Sequence, residues 1–250
     1  WYGLAAMGLG LIGTFIAAAV IAVAGTIAGA DDVGESKGFL QITTAAQGIV
    51  FIAAAVLLAS RVARPRLWHF GLRRTRFWPT VGWAAMGLVV YWILAITYSA
   101  LIQTDAEQET LEDLGTKDGT VWLVGAALLV IVIAPIGEEF FFRGFFYRSL
   151  RTRLPVALAA LGVGTVFGLV HAGSTPAEIL PLLALLGVIF CLVYERTGSL
   201  FAVIALHALN NFIAFGVQTE EWGVAAIVFG VVFGACLIVP RLLRPTPAPA

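Results

Sequence analysis

Charge is what this sequence has least of: Asp, Glu, Lys and Arg make up 12 % of its 250 residues, while 60 % belong to the hydrophobic set. A soluble domain carries roughly a quarter of its residues as charges. So little charge excludes a water-exposed surface all round, and a mean hydropathy of +0.95 places the chain among membrane proteins. Cysteine is almost absent too. Cys191 and Cys236 both sit in apolar runs and read as small buried hydrophobes, which excludes a disulfide framework or a cysteine-based metal site. The opening apolar run is too long, and lacks the charged leader, to be a cleavable signal; it reads as a first span.

What is there in quantity is long, uncharged stretches. At about 20 residues per bilayer crossing, the chain divides into an all-α, polytopic membrane bundle of about eight transmembrane helices. The spans are 3–30, 39–60, 79–103, 121 to about 150, 155–171, 178–194, 199–217 and 222–240. Residues 1–244 form one transmembrane domain and 245–250 a disordered Pro/Ala tail. Trp1 and Tyr2 suit the membrane interface, and the spacing of Asp105 to Asp118 predicts a short acidic surface helix.

The few charges are sorted. On one side lie Arg61 to Arg76, Arg143 to Arg153, Arg196, and Arg241 with Arg244, which is 13 of the 15 basic residues; 12 of the 15 acidic residues fall on the other. The positive-inside rule makes the basic side cytoplasmic, so the expectation is a multi-pass cell-membrane protein with both termini cytoplasmic. The stretch 61–76 mixes arginines with aromatics. Between two spans it reads as a membrane-surface loop, not as a nucleic-acid reader. Three carboxylates break the sorting: Glu138, Glu139 and Glu195.

The first two stand inside an apolar run, where an ionisable group costs roughly 2.5–3.5 kcal/mol or more. Glu139 and Arg143 are four apart and share a helix face, so they can pair; Glu138 points about 100° away and needs its own reason. Two further patterns have the same spacing, Phe167-x-x-x-His171 at the end of the fifth span and His207-x-x-x-Asn211 within the seventh. Singly, each His or Asn is as readily interhelical glue as catalyst. Together, a carboxylate, two imidazoles and a carboxamide are the parts needed to add water to a carbonyl.

These three patterns, in this order, resemble the intramembrane protease family that includes type 2 CAAX prenyl endopeptidases and bacteriocin-processing or immunity proteins, often called CPBP or Abi. Arg196-Thr197-Gly198-Ser199-Leu200, ahead of His207, is similar too, and the resemblance covers about 121–211. It implies that Glu138 is the general base on a water shared with His171, and that a neutral His207 and Asn211 donate to the oxyanion. Glu139, Arg143 and Phe167 support them. The implied substrate is a membrane-associated, possibly prenylated, peptide or protein, with the lipid bilayer as the other partner and no nucleic acid. No cofactor is needed, although two His and two Glu could also hold zinc. Two readings of other classes stand beside this one: a proton-coupled transporter using Glu138, His171 and His207 as a relay, and a non-catalytic scaffold or immunity protein. Depth constrains all three, because Glu138 and His171 meet only if the fourth helix runs on to about Leu150, with Arg143 inside the protein.

Overall fold

The computed structural model describes residues 2–29, 33, 36–102 and 110–243. Trp1, residues 30–32, Glu35, the acidic residues Asp105, Glu107 and Glu109, Arg244 and the 245–250 tail lie outside them, together with what the sequence predicts there.

Nine α-helices follow in chain order: α1 Tyr2–Ile27, α2 Lys37–Ser60, α3 Phe77–Ile102, the short α4 Thr110–Asp113, α5 Thr120–Arg151, α6 Val156–Leu169, α7 Leu180–Thr197, α8 Leu200–Thr219 and α9 Trp222–Leu242. Seven of these are long and apolar enough to cross a membrane. The protein is therefore a polytopic helical membrane bundle. Its outer faces fit that setting, since large apolar side chains such as Phe15 (76 % exposed) and Ile227 (73 %) point outward, as only a lipid solvent tolerates. The eighth expected crossing is α6, whose 14 residues span about 21 Å of a core roughly 30 Å thick. It follows Pro155 and stops in the turns of 170–179, where Ala172, Gly173, Ser174, Ala177 and Glu178 are exposed, so this helix alone falls short of a full crossing.

The expected long fourth helix is observed: α5 runs unbroken for 32 residues. Two stretches of it, Leu129–Ile133 and Phe140–Tyr147, are wound as π-helix. Pro135 follows the first, and its missing N–H would leave a carbonyl orphaned in any helical register. Widened turns of this kind recur at functional sites.

Glycine sets how closely the helices meet. α2 crosses α5 at Gly48 and Gly137, where a Cβ on Gly137 would lie 2.7 Å from the Gly48 Cα. α6 meets α7 through Gly164 and Gly187 in the same way, the small-residue contact by which membrane helices gain dispersion energy. α7 ends at Gly198 in the left-handed region, φ 61°, and α8 restarts at once with the Ser199 hydroxyl accepting from the Ala202 N–H.

The basic stretch 61–76 is more than a surface loop. A single 3₁₀ turn, Leu67–Phe70, buries Phe70 and stacks it on Phe140 of α5 at 4.5 Å. Tyr194 donates its hydroxyl to the Phe70 carbonyl, Leu200 N–H donates to Gly71 O, and Arg73 Nε donates to Gly198 O. The loop is thus pinned across the arginine-rich ends of α5, α7 and α8. Glu195, the third misplaced carboxylate, accepts from Arg151 and from the Tyr147 hydroxyl at the same end, so its charge is matched there.

Candidate active site

The residues of the three sequence patterns lie on three elements. α5 supplies Glu138, Glu139 and Arg143, the end of α6 supplies Phe167 and His171, and α8 supplies His207 and Asn211. Glu138 stands 13 residues before Arg151, about 20 Å from that end of α5, and α6 raises His171 about 21 Å from Pro155. The long helix brings the two to matching depth.

Glu139 and Arg143 are completely buried. Arg143 Nη1 donates to Glu139 Oε1 at 2.8 Å, and Nη2 donates to the Gly187 carbonyl of α7 at 2.9 Å. The guanidinium carbon lies 4.6 Å from the Phe167 ring and 5.1 Å from the Phe190 ring. A desolvated cation over aromatic faces gains about 2 kcal/mol from each good contact, and the carboxylate neutralises its charge. The Arg143 side chain therefore joins α5, α6 and α7 at one point. Glu139 Oε1 also faces His207 Nδ1 at 2.8 Å, which adds α8.

With Glu139 ionised opposite Arg143, the carboxylate can only accept, so His207 carries its proton on Nδ1. Its Nε2 is then a lone pair in the neutral ring and a donor only in the imidazolium. His171 is fixed in the same way, because its Nδ1 lies 2.7 Å from the Phe167 carbonyl, which can only accept. The neutral ring keeps Nε2 free as an acceptor. Phe167 packs between the two imidazoles, 5.1 Å from His171 and 6.0 Å from His207 between centroids, so the two rings are at most about 11 Å apart.

Glu138 differs from its neighbour. It is half-buried and has no hydrogen-bond or ion-pair partner among the described residues, whereas Glu139 is held through Oε1, its own Oε2 being unpartnered like that of Glu138. Asn211 donates from Nδ2 to the Val130 carbonyl at 2.9 Å. That carbonyl lies in the first π-segment, where Ala134 N–H reaches back five residues to Leu129 O. In this register the next donor belongs to residue 135, and Pro135 has none. Asn211 takes the place of that missing N–H with one of its two amide hydrogens, which leaves the second available.

The sequence patterns did not name Gly187, Phe190, Val130 or Asn210, although all border the site; Phe190 lies 5.1 Å from His207, and Asn210 is buried against Asn211. Pro135 inside a span and Gly164-x-x-x-Gly168 on α6 were the available signals. A zinc site does not assemble: among the described residues, no three His, Cys, Asp or Glu side chains gather, and Glu139 Oε1 is already shared by Arg143 and His207.

Residues 120–213, which hold all three patterns, match the model of the family described as Type II CAAX prenyl endopeptidase Rce1-like, and the resemblance read from the sequence is borne out there. The chain is also 26 % identical over 147 residues to the uncharacterized protein YyaK of Bacillus subtilis strain 168. That alignment covers 55 % of this chain and 48 % of the relative, so the chain spans about half the length of the curated relative it matches. No solved structure matches it significantly.

Proposed function

We propose that this protein is an intramembrane endopeptidase that hydrolyses a peptide bond in a membrane-associated peptide or protein, with Glu138 activating the attacking water. The observation that carries the proposal is the unlike treatment of two adjacent carboxylates. Glu139 is fully buried and bonded through Oε1 to both Arg143 and His207, whereas half-buried Glu138 makes no hydrogen bond or ion pair with any described residue. A structural carboxylate is bonded; a base must be free to accept.

In this mechanism Glu138 takes a proton from water, while His171 Nε2 accepts from the same water and orients it. The water oxygen attacks the carbonyl carbon, and the negative charge moves to the carbonyl oxygen. With Nδ1 engaged by Glu139, a neutral His207 has no N–H to give at Nε2, so it donates to that oxygen in its protonated form in place of the neutral ring expected from the sequence, and the second amide hydrogen of Asn211 also donates there. Collapse expels the amine, which takes the proton held by Glu138. Arg143 and Phe167 touch no reacting atom; they fix Glu139 and the two imidazoles. Prenylated C-termini are the substrate class named in the family's description. The reaction needs no metal, and both termini face the cytoplasm, on the side of the basic loops.

The test is cleavage of a membrane-tethered reporter peptide in liposomes by the wild type and by Glu138→Gln, each with and without a strong chelator. Loss of at least a hundredfold in the variant, with the wild type indifferent to chelator, is the expected result. Undiminished turnover by Glu138→Gln would sink the proposal. Chelator-sensitive activity restored by zinc would move Glu138 and both histidines to ligand roles.

A further inference from the structure

Behind α8, a groove of about 1020 Å³ runs between α3 and α9. Leu88, Leu209 and Phe233 are among its apolar lining, and Arg74, Arg76 and Arg241 stand together at one end. This is the inner end by the charge rule, since it gathers the start of α3, the start of α8 and the end of α9. No acidic side chain lines the groove, and none of the three exposed arginines is in an ion pair with a described residue.

The groove is separate from the candidate active site. Its α8 lining includes Ala202, Ala205, Leu206 and Leu209, an i, i+3, i+4, i+7 stripe. At 3.6 residues per turn, His207 and Asn211 fall on nearly the opposite face of that helix. The depth is informative as well. From Arg76 to Leu88 α3 rises about 18 Å, close to half of the roughly 30 Å hydrocarbon core, so the groove is one leaflet deep with its cations at headgroup level.

We infer that this groove is a binding site for an anionic phospholipid of the inner leaflet, with an acyl chain along α8 and the phosphate on Arg74, Arg76 and Arg241. Basic pockets between helices on the cytoplasmic side recognise such headgroups. A second copy of this chain is a poor occupant, because its inner face has no carboxylates to offer: Glu139 is bound to Arg143, Glu195 to Arg151, and Glu138 lies at depth. A lipid seated here braces the back of the helix that carries His207 and Asn211.

Native mass spectrometry of the full chain in mild detergent, titrated with phosphatidylglycerol and phosphatidylcholine of identical acyl chains, tests this. The expected result is phosphatidylglycerol binding about a hundredfold tighter, with about a fivefold loss for each arginine replaced by glutamine at 74, 76 and 241. Ala205→Phe, which fills the groove floor, should weaken both lipids. Equal binding of the two lipids would overturn the inference, as would a triple arginine variant that keeps the anionic preference. Displacement of bound phosphatidylglycerol by a farnesylated peptide would assign the groove to substrate instead, and so overturn it as well.

Discussion

Arg143→Met should be among the most damaging single changes in this protein, and Glu139→Gln should rescue much of the damage. The arginine is completely buried, donates to Glu139 and to Gly187 O, and lies over the Phe167 and Phe190 rings. Methionine fills a similar volume but leaves the Glu139 carboxylate charged, without its guanidinium and remote from water. Breaking a buried pair from one side costs about 3–5 kcal/mol. Glu139→Gln alone is the mirror case: it keeps an acceptor for His207 Nδ1 and strands the cation. In the double variant neither charge remains, so its loss should fall short of the sum of the singles by about 2 kcal/mol or more. The cycle is measured by denaturant or thermal unfolding in detergent. Activity should not return with stability, because His207 then lacks the carboxylate that orients its ring through Nδ1. Additivity within about 0.5 kcal/mol, the behaviour of independent sites, would refute the reasoning, and so would a double variant that cleaves at the wild-type rate.

Glu138→Gln, by contrast, should leave the unfolding midpoint unchanged or raise it, since the Oε2 atom it alters has no partner to lose; a large destabilisation would show that the carboxylate is structural. Asn211→Ala should cost about 1–3 kcal/mol by orphaning the Val130 carbonyl, and Pro135→Ala, which restores an N–H, should recover part of that loss in the double variant. Gly137→Ala should cost about 1–3 kcal/mol through overpacking, because both atoms that would collide at 2.7 Å are fixed by backbone; an unfolding midpoint equal to the wild type would mean that α2 and α5 separate freely. In the basic loop, burial first, then Arg148 and Arg66, hold His69 below its usual pKa, and its Nδ1 accepts from the Arg66 N–H. A lowered histidine pKa stabilises the fold above the unfolded value near 6.5 and is lost as pH falls through the folded value, so the protection factor of the Arg66 amide, taken relative to its intrinsic exchange rate at each pH, should fall on acidification and not on raising the pH.

Much of this architecture was legible because lipid imposes strict rules. Long uncharged runs had to be helices, and seven of the described helices are long and apolar enough to cross a membrane. The length of α5 was legible from a conflict of depths, as Glu138 could not reach His171 unless the helix continued past Arg143. The exact end of α6 was not, because the apolar run continues through Val170 past the last helical residue, and hydropathy does not mark where helix gives way to turn. Nor was the docking of Phe70 onto Phe140, since an aromatic among arginines looks alike whether it lies at a headgroup or under a neighbouring helix. At the site, the i, i+4 pairing of Glu139 with Arg143 followed from helix geometry alone. The partners across helices did not: the Gly187 and Val130 carbonyls carry no side-chain signature, and the link from Pro135 to Asn211 exists only because the π-turn changes which carbonyl is orphaned.

The pair of adjacent glutamates shows how one turn of helix can place two carboxylates in unlike surroundings. Successive residues on a helix differ by about 100° in direction, so Glu139 turns into the contact of α5 with α7 and α8, where Arg143 and His207 hold its Oε1. Glu138 turns away from that contact and has no hydrogen-bond partner among the described residues. Environments that treat two like groups differently are how an enzyme assigns them different roles. The same logic explains the cost of the arrangement. An unpaired buried carboxylate oxygen lowers stability, and the Gly48–Gly137 crossing beside it, with the Arg143 junction of three helices, offsets that loss with close packing and matched charge. Rotating α5 by one residue would turn Glu138 toward the junction and carry the Glu139–Arg143 pair away from the Gly187 carbonyl and His207, so the register of α5 that the two π-segments set is itself part of the site.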